Sequence, residues 1–348
     1  MERYGRFLKI TGSVLGIAII ASAGYAALLN SKFGNIAQFD TSSIHNRPDP
    51  DKGRALNVMV LGADRGVAVA GATAGMRLSE AARAAKWPSG RYRSDTIMIV
   101  HIAANRKHVY LVSIPRDTYT ELYDATGTPR GRNKINAAFS AYGPNSTIAT
   151  VEHLTNVRMK HLAIINFNGF KDITRAVGGV EVYIPKSFYD PSQKVHWTAG
   201  NQNLEGDRAL KYVRTRYGLP RSDFDRIARQ QNFMRALMKK LLAKGTTRNP
   251  VRLTNTLSAL TENIVVDDEW DPADMRALAL SLRGTGTDDV TFLTAPVAGT
   301  GPVKGVGSVV HLDEARTSQL FRAMAADHMS GYVKANPDDV LKSSREVN

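Results

Sequence analysis

The sequence predicts an α/β domain carried on one N-terminal membrane helix, and two observations carry that expectation. Short apolar runs of strand character alternate with helical stretches from Asn57 onward, the pattern of an α/β architecture. Ahead of them, residues 10–31 carry no charge, close to the ~20 residues a helix needs to cross a hydrocarbon core of roughly 30 Å.

Residues 1–9 hold Arg3, Arg6 and Lys9, against Lys32 alone just beyond the apolar stretch. That asymmetry places 1–9 in the cytoplasm, 10–31 across the cell membrane and the rest outside, a single-pass arrangement. A cleaved leader ending at Ala21-Ser22-Ala23 is the competing reading, but Tyr25, Leu28 and Leu29 continue the apolar run and favour a retained span. Residues 32–55 are polar, include Pro48 and Pro50, and read as an extracytoplasmic tether.

The outer domain occupies residues 56–330. Residues 58–61 form a short apolar strand that stops at Gly62, and 97–102 and 109–114 form a hairpin around a polar, turn-like connection. Strands at 161–167 and 180–184 flank a helix at 170–177 that Gly178-Gly179 terminates. A long amphipathic helix runs from Asp223 to about Ala243; residues 257–264, 272–282 and 314–325 are also helical, and 290–293 form a strand. The stretch 71–93, rich in Ala and Gly at first, reads as an insertion, and the polar residues 331–348 as a disordered tail.

Composition narrows the chemistry. At 348 residues, 43% hydrophobic and 22% charged, most of the chain has the means to fold. The absence of cysteine excludes disulfides, thiolate zinc sites and a thiol nucleophile. A formal charge of +14 asks for an anionic partner: nucleic acid, an acidic membrane surface or a phosphorylated substrate. The predicted topology disfavours nucleic acid, because it puts the basic domain outside the cytoplasm.

Five ordered segments resemble the LytR-CpsA-Psr family: NVMVLGADR (57–65), RSDT (93–96), SIPRDT (113–118), KINAAF (134–139) and LEGDRALKYVRTRYGLPRSDFDRIARQQ (204–231). The resemblance implies a three-layer α-β-α sandwich with a mixed central sheet and a buried groove for a lipid carrier. It also implies a Mg²⁺-dependent phosphotransferase, with Mn²⁺ as a substitute, that moves a glycopolymer from polyprenyl pyrophosphate onto peptidoglycan. By motif, Asp64 and Asp95 are the metal-associated carboxylates. Arg93, Arg116, Lys134, Arg214, Arg216, Arg226 and Gln230 surround the pyrophosphate, and Asp223 buttresses the arginines. Two features depart from the family pattern: Asp225 stands where a glycine is usual in the D-F-G-R signature, and the interval from Asp64 to Asp95 is long. The C-terminal half resembles actinobacterial members, which leans toward arabinogalactan or a teichoic-type polymer.

Elementary geometry runs beside the resemblance. Pairing Ile102 with Val109 sets a hairpin register that puts Asp95 opposite Arg116. Asp64 follows the end of a strand, where ligands of open α/β sheets gather. On the long helix, Asp223, Arg226 and Gln230 fall within about 60° of arc, and Met234, Leu237 and Leu241 continue that face. One face therefore passes from polar to oily, with Asn232, Arg235 and Lys239 expected on the solvent side. Cations and donors at a mouth with apolar side chains behind suit a lipid pyrophosphate, and a guanidinium fork binds phosphate oxygens in pairs. Asp64 is the first candidate for a general base and Asp95 the second.

Plainer readings stand alongside. A single arginine is more often a surface ion-pair partner than a ligand, and Asp64 and Asp95 serve equally well as partners of Arg65 and Arg116. Asp223 also reads as a helix N-cap. GTGPVKGVG (299–307) lacks the Gly-Lys-Ser/Thr ending of a phosphate loop and reads as a loop near a sheet edge. The eight histidines show no metal spacing, and Ser113 has no evident His partner. Three functional alternatives remain: a non-catalytic binder of polyprenyl phosphate lipid or wall polymer, a cytoplasmic nucleic-acid binder, and a lipid pyrophosphate hydrolase.

Overall fold

The computed structural model describes residues 34, 36–50, 53–65, 78–82, 84, 87–90, 92–215, 223–242, 249–282 and 284–347. The chain contributes, in order, β1 (Ala37–Phe39), β2 (Leu56–Arg65), α1 (Leu78–Ala82), β3 (Tyr92–Ile102), β4 (Val109–Ile114), β5 (Tyr119–Tyr123), β6 (Pro129–Lys134), α2 (Asn136–Tyr142), α3 (Pro144–Thr155), β7 (His161–Asn166), α4 (Phe167–Ala176) and β8 (Val180–Ile184). It continues through β9 (Phe188–Asp190), β10 (Val195–Trp197), β11 (Gly200–Leu204), α5 (Gly206–Arg214), α6 (Asp223–Leu242), α7 (Pro250–Asn263), β12 (Ile264–Asp267), α8 (Pro272–Ser281), β13 (Val290–Thr294), β14 (Val297–Val303), β15 (Gly307–Leu312), α9 (Glu314–Ala325) and α10 (Met329–Ala335).

Seven strands form the central sheet in the order β1-β12-β7-β2-β3-β4-β13. The pairs β1/β12, β7/β2 and β4/β13 are parallel and the other three antiparallel, so the sheet is mixed. Side chains alternate between faces along each strand. Met59, Leu61, Ile97, Ile99 and Val112 enter one core with Phe139 of α2, Val151 of α3 and Phe321 of α9. Met98, Leu111 and Phe292 enter another, against Met234 and Met238 of α6 and Leu278 of α8. A third cluster gathers Ile173, Val182, Trp197, Tyr212 and Phe233 from α4, the β8–β11 region, α5 and α6. Helices thus cover both sheet faces, and α6 links two of the cores.

Local chemistry explains several boundaries. The Asn166 side chain accepts from the Gly169 amide at 2.8 Å and caps α4. Beyond the helix, Gly178 and Gly179 take φ of 76° and 83°, a left-handed stop that other residues adopt at a cost. The expected hairpin register is observed, with Ile102 opposite Val109 and Ile97 opposite Ile114.

Four expectations are corrected. The first strand does not stop at Gly62: β2 runs on to Arg65, because β3 extends beside it to Tyr92 and supplies hydrogen-bond partners. The stretch 32–55 is not simply a tether, since β1 pairs with β12 and Phe39 and Ile44 are buried in the main core. Arg47 there also ion-pairs with the buried Glu152 at 2.8 Å. The polar tail is ordered: α10 occupies part of it, Leu341 donates to the Phe292 carbonyl at 2.8 Å, and Val347 is 3% exposed. Polar composition concealed a segment that covers the β13 edge. Residues 299–307 are not a loop but most of the β14–β15 hairpin, in which each residue from Gly299 to Val303 pairs with one of β15. The expected membrane helix at 10–31 and about half of the 71–93 insertion lie outside the described residues. Among the described residues, no helix is long and apolar enough to cross a membrane.

Candidate active site

The carboxyl ends of β2, β4, β7 and β13 meet the amino ends of β3 and β12 at one end of the sheet. There the β2–β3 ladder slips: Gly62 pairs with Thr96 and Ala63 with Ser94, leaving Asp95 without a partner on β2. This is a β-bulge, a device that redirects a side chain at the cost of one rung of pairing. The Asp95 carboxylate accepts from Nη1 of Arg116, the residue the hairpin register placed opposite it.

Arg116 does not stand alone. Its Nε donates to Asp117 at 3.3 Å, and Nζ of Lys134 lies 3.3 Å from the other Asp117 oxygen. Lys134 closes β6, and the Ile135 amide that follows donates to the Thr118 carbonyl at 2.8 Å. A chain Asp95–Arg116–Asp117–Lys134 therefore joins three of the expected site residues through one that was not singled out. Asp117 sits inside the quoted SIPRDT segment, which was the available signal.

Beside Asp95 opens a cavity of about 100 Å³ whose apolar lining includes Val60, Met98, Ile165, Phe170, Phe233 and Met234. Asp95, Arg214 and Gln230 line the same cavity. Arg214 is exposed, so the charged groups mark the open end and the aromatic side chains its depth. Arg214 stacks its guanidinium 4.8 Å from the centroid of the Phe167 ring. Gln230 donates to the Val213 carbonyl at 3.2 Å, tying α6 to α5. A larger cavity of about 530 Å³ lies elsewhere around α6, between that helix and the C-terminal segment. None of the expected cations among the described residues lines it, and its Arg316 is held by Asp339 at 2.6 Å.

The remaining expected residues are distributed as follows. Asp64 pairs with Arg93 across the β2–β3 ladder, two residues from the bulged Asp95, and is placed by its backbone alone. Arg93 is exposed. Arg226 is 5% exposed, in keeping with the inward face expected of α6. Asp223 opens α6 and is likewise placed by its backbone; Arg216 lies outside the described residues. The expected solvent face of α6 is corrected in part. Lys239 is exposed, but Asn232 is 2% exposed and accepts from Arg235, which also donates to the Lys342 carbonyl. The ordered C-terminal segment covers what the helical wheel left to water.

Sequence reasoning also passed over Arg229, which is 0% exposed. Its guanidinium lies 4.9 Å from the ring centroids of both Phe188 and Tyr212. Burial pulls its pKa down, opposed by nearby Tyr212, Asp225 and Asp190. Burial pushes the Asp190 carboxyl up, but hydrogen bonds from Ser192, Thr215 and Gln193 outweigh it and hold the pKa below the usual range. Thr215, which bonds Asp190, directly follows Arg214. Asp225, the departure from the family signature, is 2% exposed and is one of the carboxylates facing Arg229.

Among the described residues no three His, Asp or Glu side chains form a metal cage. The donor set nevertheless fits a magnesium ion shared with substrate, which commonly takes one or two carboxylates and completes its shell with phosphate oxygens and water. Asp95 supplies one such carboxylate at this sheet end, and the backbone of Asp64 lies on the neighbouring strand.

Comparison with known proteins agrees with this architecture. The cell wall biosynthesis protein LcpA of Corynebacterium glutamicum is 33% identical over 259 residues, 66% of this chain and 48% of that protein. The polyisoprenyl-teichoic acid–peptidoglycan teichoic acid transferase TagU of Bacillus cereus is 38% identical over 173 residues, 49% of this chain and 54% of that protein. The chain spans about half the length of the curated relatives it matches. In fold it is similar to TagV of B. subtilis, with a TM-score of 0.61 at 22% identity over 80% of this chain and 98% of that one. It is also similar to the LytR-Csp2A-Psr enzyme of Actinomyces oris, with a TM-score of 0.59 at 21% identity over 83% and 96%. Residues 25–326 match the LytR_cpsA_psr family, and the chain belongs to that family.

Proposed function

We propose that this protein transfers a glycopolymer from a polyprenyl pyrophosphate carrier to a sugar hydroxyl of peptidoglycan, with its α-β-α domain held outside the cell by the membrane helix at 10–31. The observation that carries this reading is the Asp95–Arg116–Asp117–Lys134 chain beside an apolar cavity that Asp95, Arg214 and Gln230 also line. A diphosphate headgroup with a hydrocarbon tail asks for that combination, and neither a nucleic acid nor a free sugar phosphate needs the greasy half. The relatives named for wall biosynthesis and teichoic acid transfer support the same substrate class.

In this scheme the acceptor oxygen attacks the proximal phosphorus, a new P–O bond forms, and the bond to the carrier's phosphate breaks, releasing polyprenyl phosphate. Arg116 and Lys134, held in place by Asp117, meet the charge that develops on the phosphate oxygens; Arg93, Arg214, Arg216 and Arg226 complete the cationic surround, with Asp223 bracing them and Gln230 donating. Asp95 is engaged by Arg116, so the acceptor's proton is assigned to Asp64. Asp64 and Asp95 would hold Mg²⁺, or Mn²⁺ in its place, which would supply further neutralisation of phosphate charge.

The test is transfer by the full-length chain in liposomes, supplied with polyprenyl pyrophosphate-linked glycopolymer and peptidoglycan, with Mg²⁺, with Mn²⁺ and with a chelator. The expected result is metal-dependent attachment that requires the acceptor. Phosphate release without acceptor identifies a hydrolase, and substrate binding without turnover identifies a binder; either result defeats the proposal.

A further inference from the structure

The apolar cavity has a polar neighbour. Asn166, Phe167 and Leu210 line both it and a second cavity of about 430 Å³, a volume within the ~300–1,000 Å³ of small-ligand pockets. The second cavity lies on the β7–β12 side of the same sheet end. It reaches Ala63, immediately before Asp64.

Its chemistry differs from that of the cationic mouth. Ser79, Asn166, Asn168 and Asn263 supply uncharged polar groups, and Leu210 and Ile264 supply apolar surface. The lining carries one lysine and one glutamate, Lys171 and Glu262, and Lys171 is held 3.2 Å from Asp207. Among the described residues no unpaired cation remains for a second phosphate. Amide donors and acceptors beside apolar surface suit a neutral sugar, with hydroxyls and acetamido groups on its rim and C–H groups on its faces. The Asn166 oxygen already caps α4, leaving its NH₂ for a ligand. Asn168 is exposed and makes no side-chain hydrogen bond among the described residues.

Resting on the proposed function, we infer that this cavity is the acceptor subsite, holding a neutral N-acetylated sugar of the wall glycan next to the attacking hydroxyl. The transfer needs two substrates to meet at one phosphorus from different sides. The apolar cavity takes the carrier's tail, and the polar one, across the Asn166–Phe167–Leu210 wall, brings the acceptor past Asp64. The cavity discriminates by charge, accepting an uncharged glycan and leaving anionic polymer to the arginines.

The experiment measures binding of N-acetylglucosamine oligomers, the uncharged sugar of the wall glycan, to the full chain in nanodiscs, by calorimetric titration, for wild type, Asn168→Ala and Asn168→Trp. Residue 168 is exposed, so both variants keep the fold. Loss of one ligand hydrogen bond weakens glycan binding roughly three- to tenfold in Asn168→Ala, and the bulk of Trp abolishes it. Polyprenyl pyrophosphate binding stays at the wild-type level in both. Equal glycan affinity in all three proteins, no glycan binding by wild type, or parallel loss of lipid pyrophosphate binding overturns the subsite. Transfer by the wild type to intact wall, measured separately, stands or falls without reference to residue 168, so failure of the subsite and failure of the proposed function are told apart.

Discussion

The guanidinium of Arg214 rests over the ring of Phe167, 4.8 Å from its centroid, and that ring walls both the apolar cavity and its polar neighbour. One side chain thus joins a cation of the mouth to the greasy interior. Phe167→Leu keeps an apolar wall but removes the ring face. A cation–π contact at an exposed site is worth about 0.5–1 kcal/mol, so lipid pyrophosphate binding weakens about two- to fivefold, while Phe167→Tyr leaves it unchanged. Calorimetric titration of the full chain decides: equal affinity for wild type and the Leu variant removes Arg214 from the grip.

Asp117 accepts from Arg116 and pairs with Lys134, each at 3.3 Å. Asp117→Asn keeps the volume but withdraws the charge that orients both cations. At about 1.5 kcal/mol for a charge-assisted hydrogen bond, transfer slows roughly tenfold or more while the melting temperature scarcely moves. Arg116→Lys slows it further, because an ammonium cannot fork between Asp95 and Asp117 as a guanidinium does. Initial rates at saturating acceptor are the readout, and a wild-type rate for Asp117→Asn leaves the carboxylate a merely structural role.

Pattern and register carried much of this fold. The apolar runs at 109–114 and 180–184 coincide with β4 and β8, and an alternating hairpin allows few registers, so Asp95 and Arg116 could be brought together on paper. The bulge that frees Asp95 could not, because a slipped rung depends on which residues of β2 face β3. Burial supplied by distant sequence was also hidden. Asn232 looks like a solvent residue until Arg235, which also bonds the Lys342 carbonyl, donates to it, and residues 37–39 look like tether until β12 pairs with them. Arg229 falls off the expected inward face of α6, and only the β9 and α5 aromatics make its position intelligible.

His101 is buried, with Nδ1 2.7 Å from the Asn57 side-chain oxygen and Nε2 3.0 Å from Asp327. Burial lowers its pKa, and the contact with Asp327 recovers only part of the shift. A folded-state pKa below the unfolded value favours the neutral ring. Its stabilising contribution is complete above the ordinary histidine range, near 6.5, and is lost as pH falls through the lower folded-state value. The melting temperature therefore declines on acidification from pH 7 to 5, and His101→Gln, which cannot titrate, flattens that decline. An unchanged slope in the variant assigns the acid sensitivity to other groups.

Arg229 is fully buried between Phe188 and Tyr212, with the buried carboxylates of Asp190 and Asp225 among the charges that oppose its loss of a proton. Removing one member of a buried charge cluster strands the others and typically costs about 3–5 kcal/mol. Arg229→Met keeps volume and apolar contact with the two rings but withdraws the positive charge that faces both carboxylates, so urea unfolding shows most of that loss. Arg229→Lys retains the charge while giving up the flat stacking surface, and its loss is smaller, about 1–2 kcal/mol. The double variant Arg229→Met with Asp225→Asn removes one negative charge of the cluster together with the guanidinium that faced it and recovers part of the stability lost in Arg229→Met alone. If all three unfold at the same urea concentration as wild type, the guanidinium contributes nothing net to the fold, and the aromatic packing of Phe188 and Tyr212 suffices.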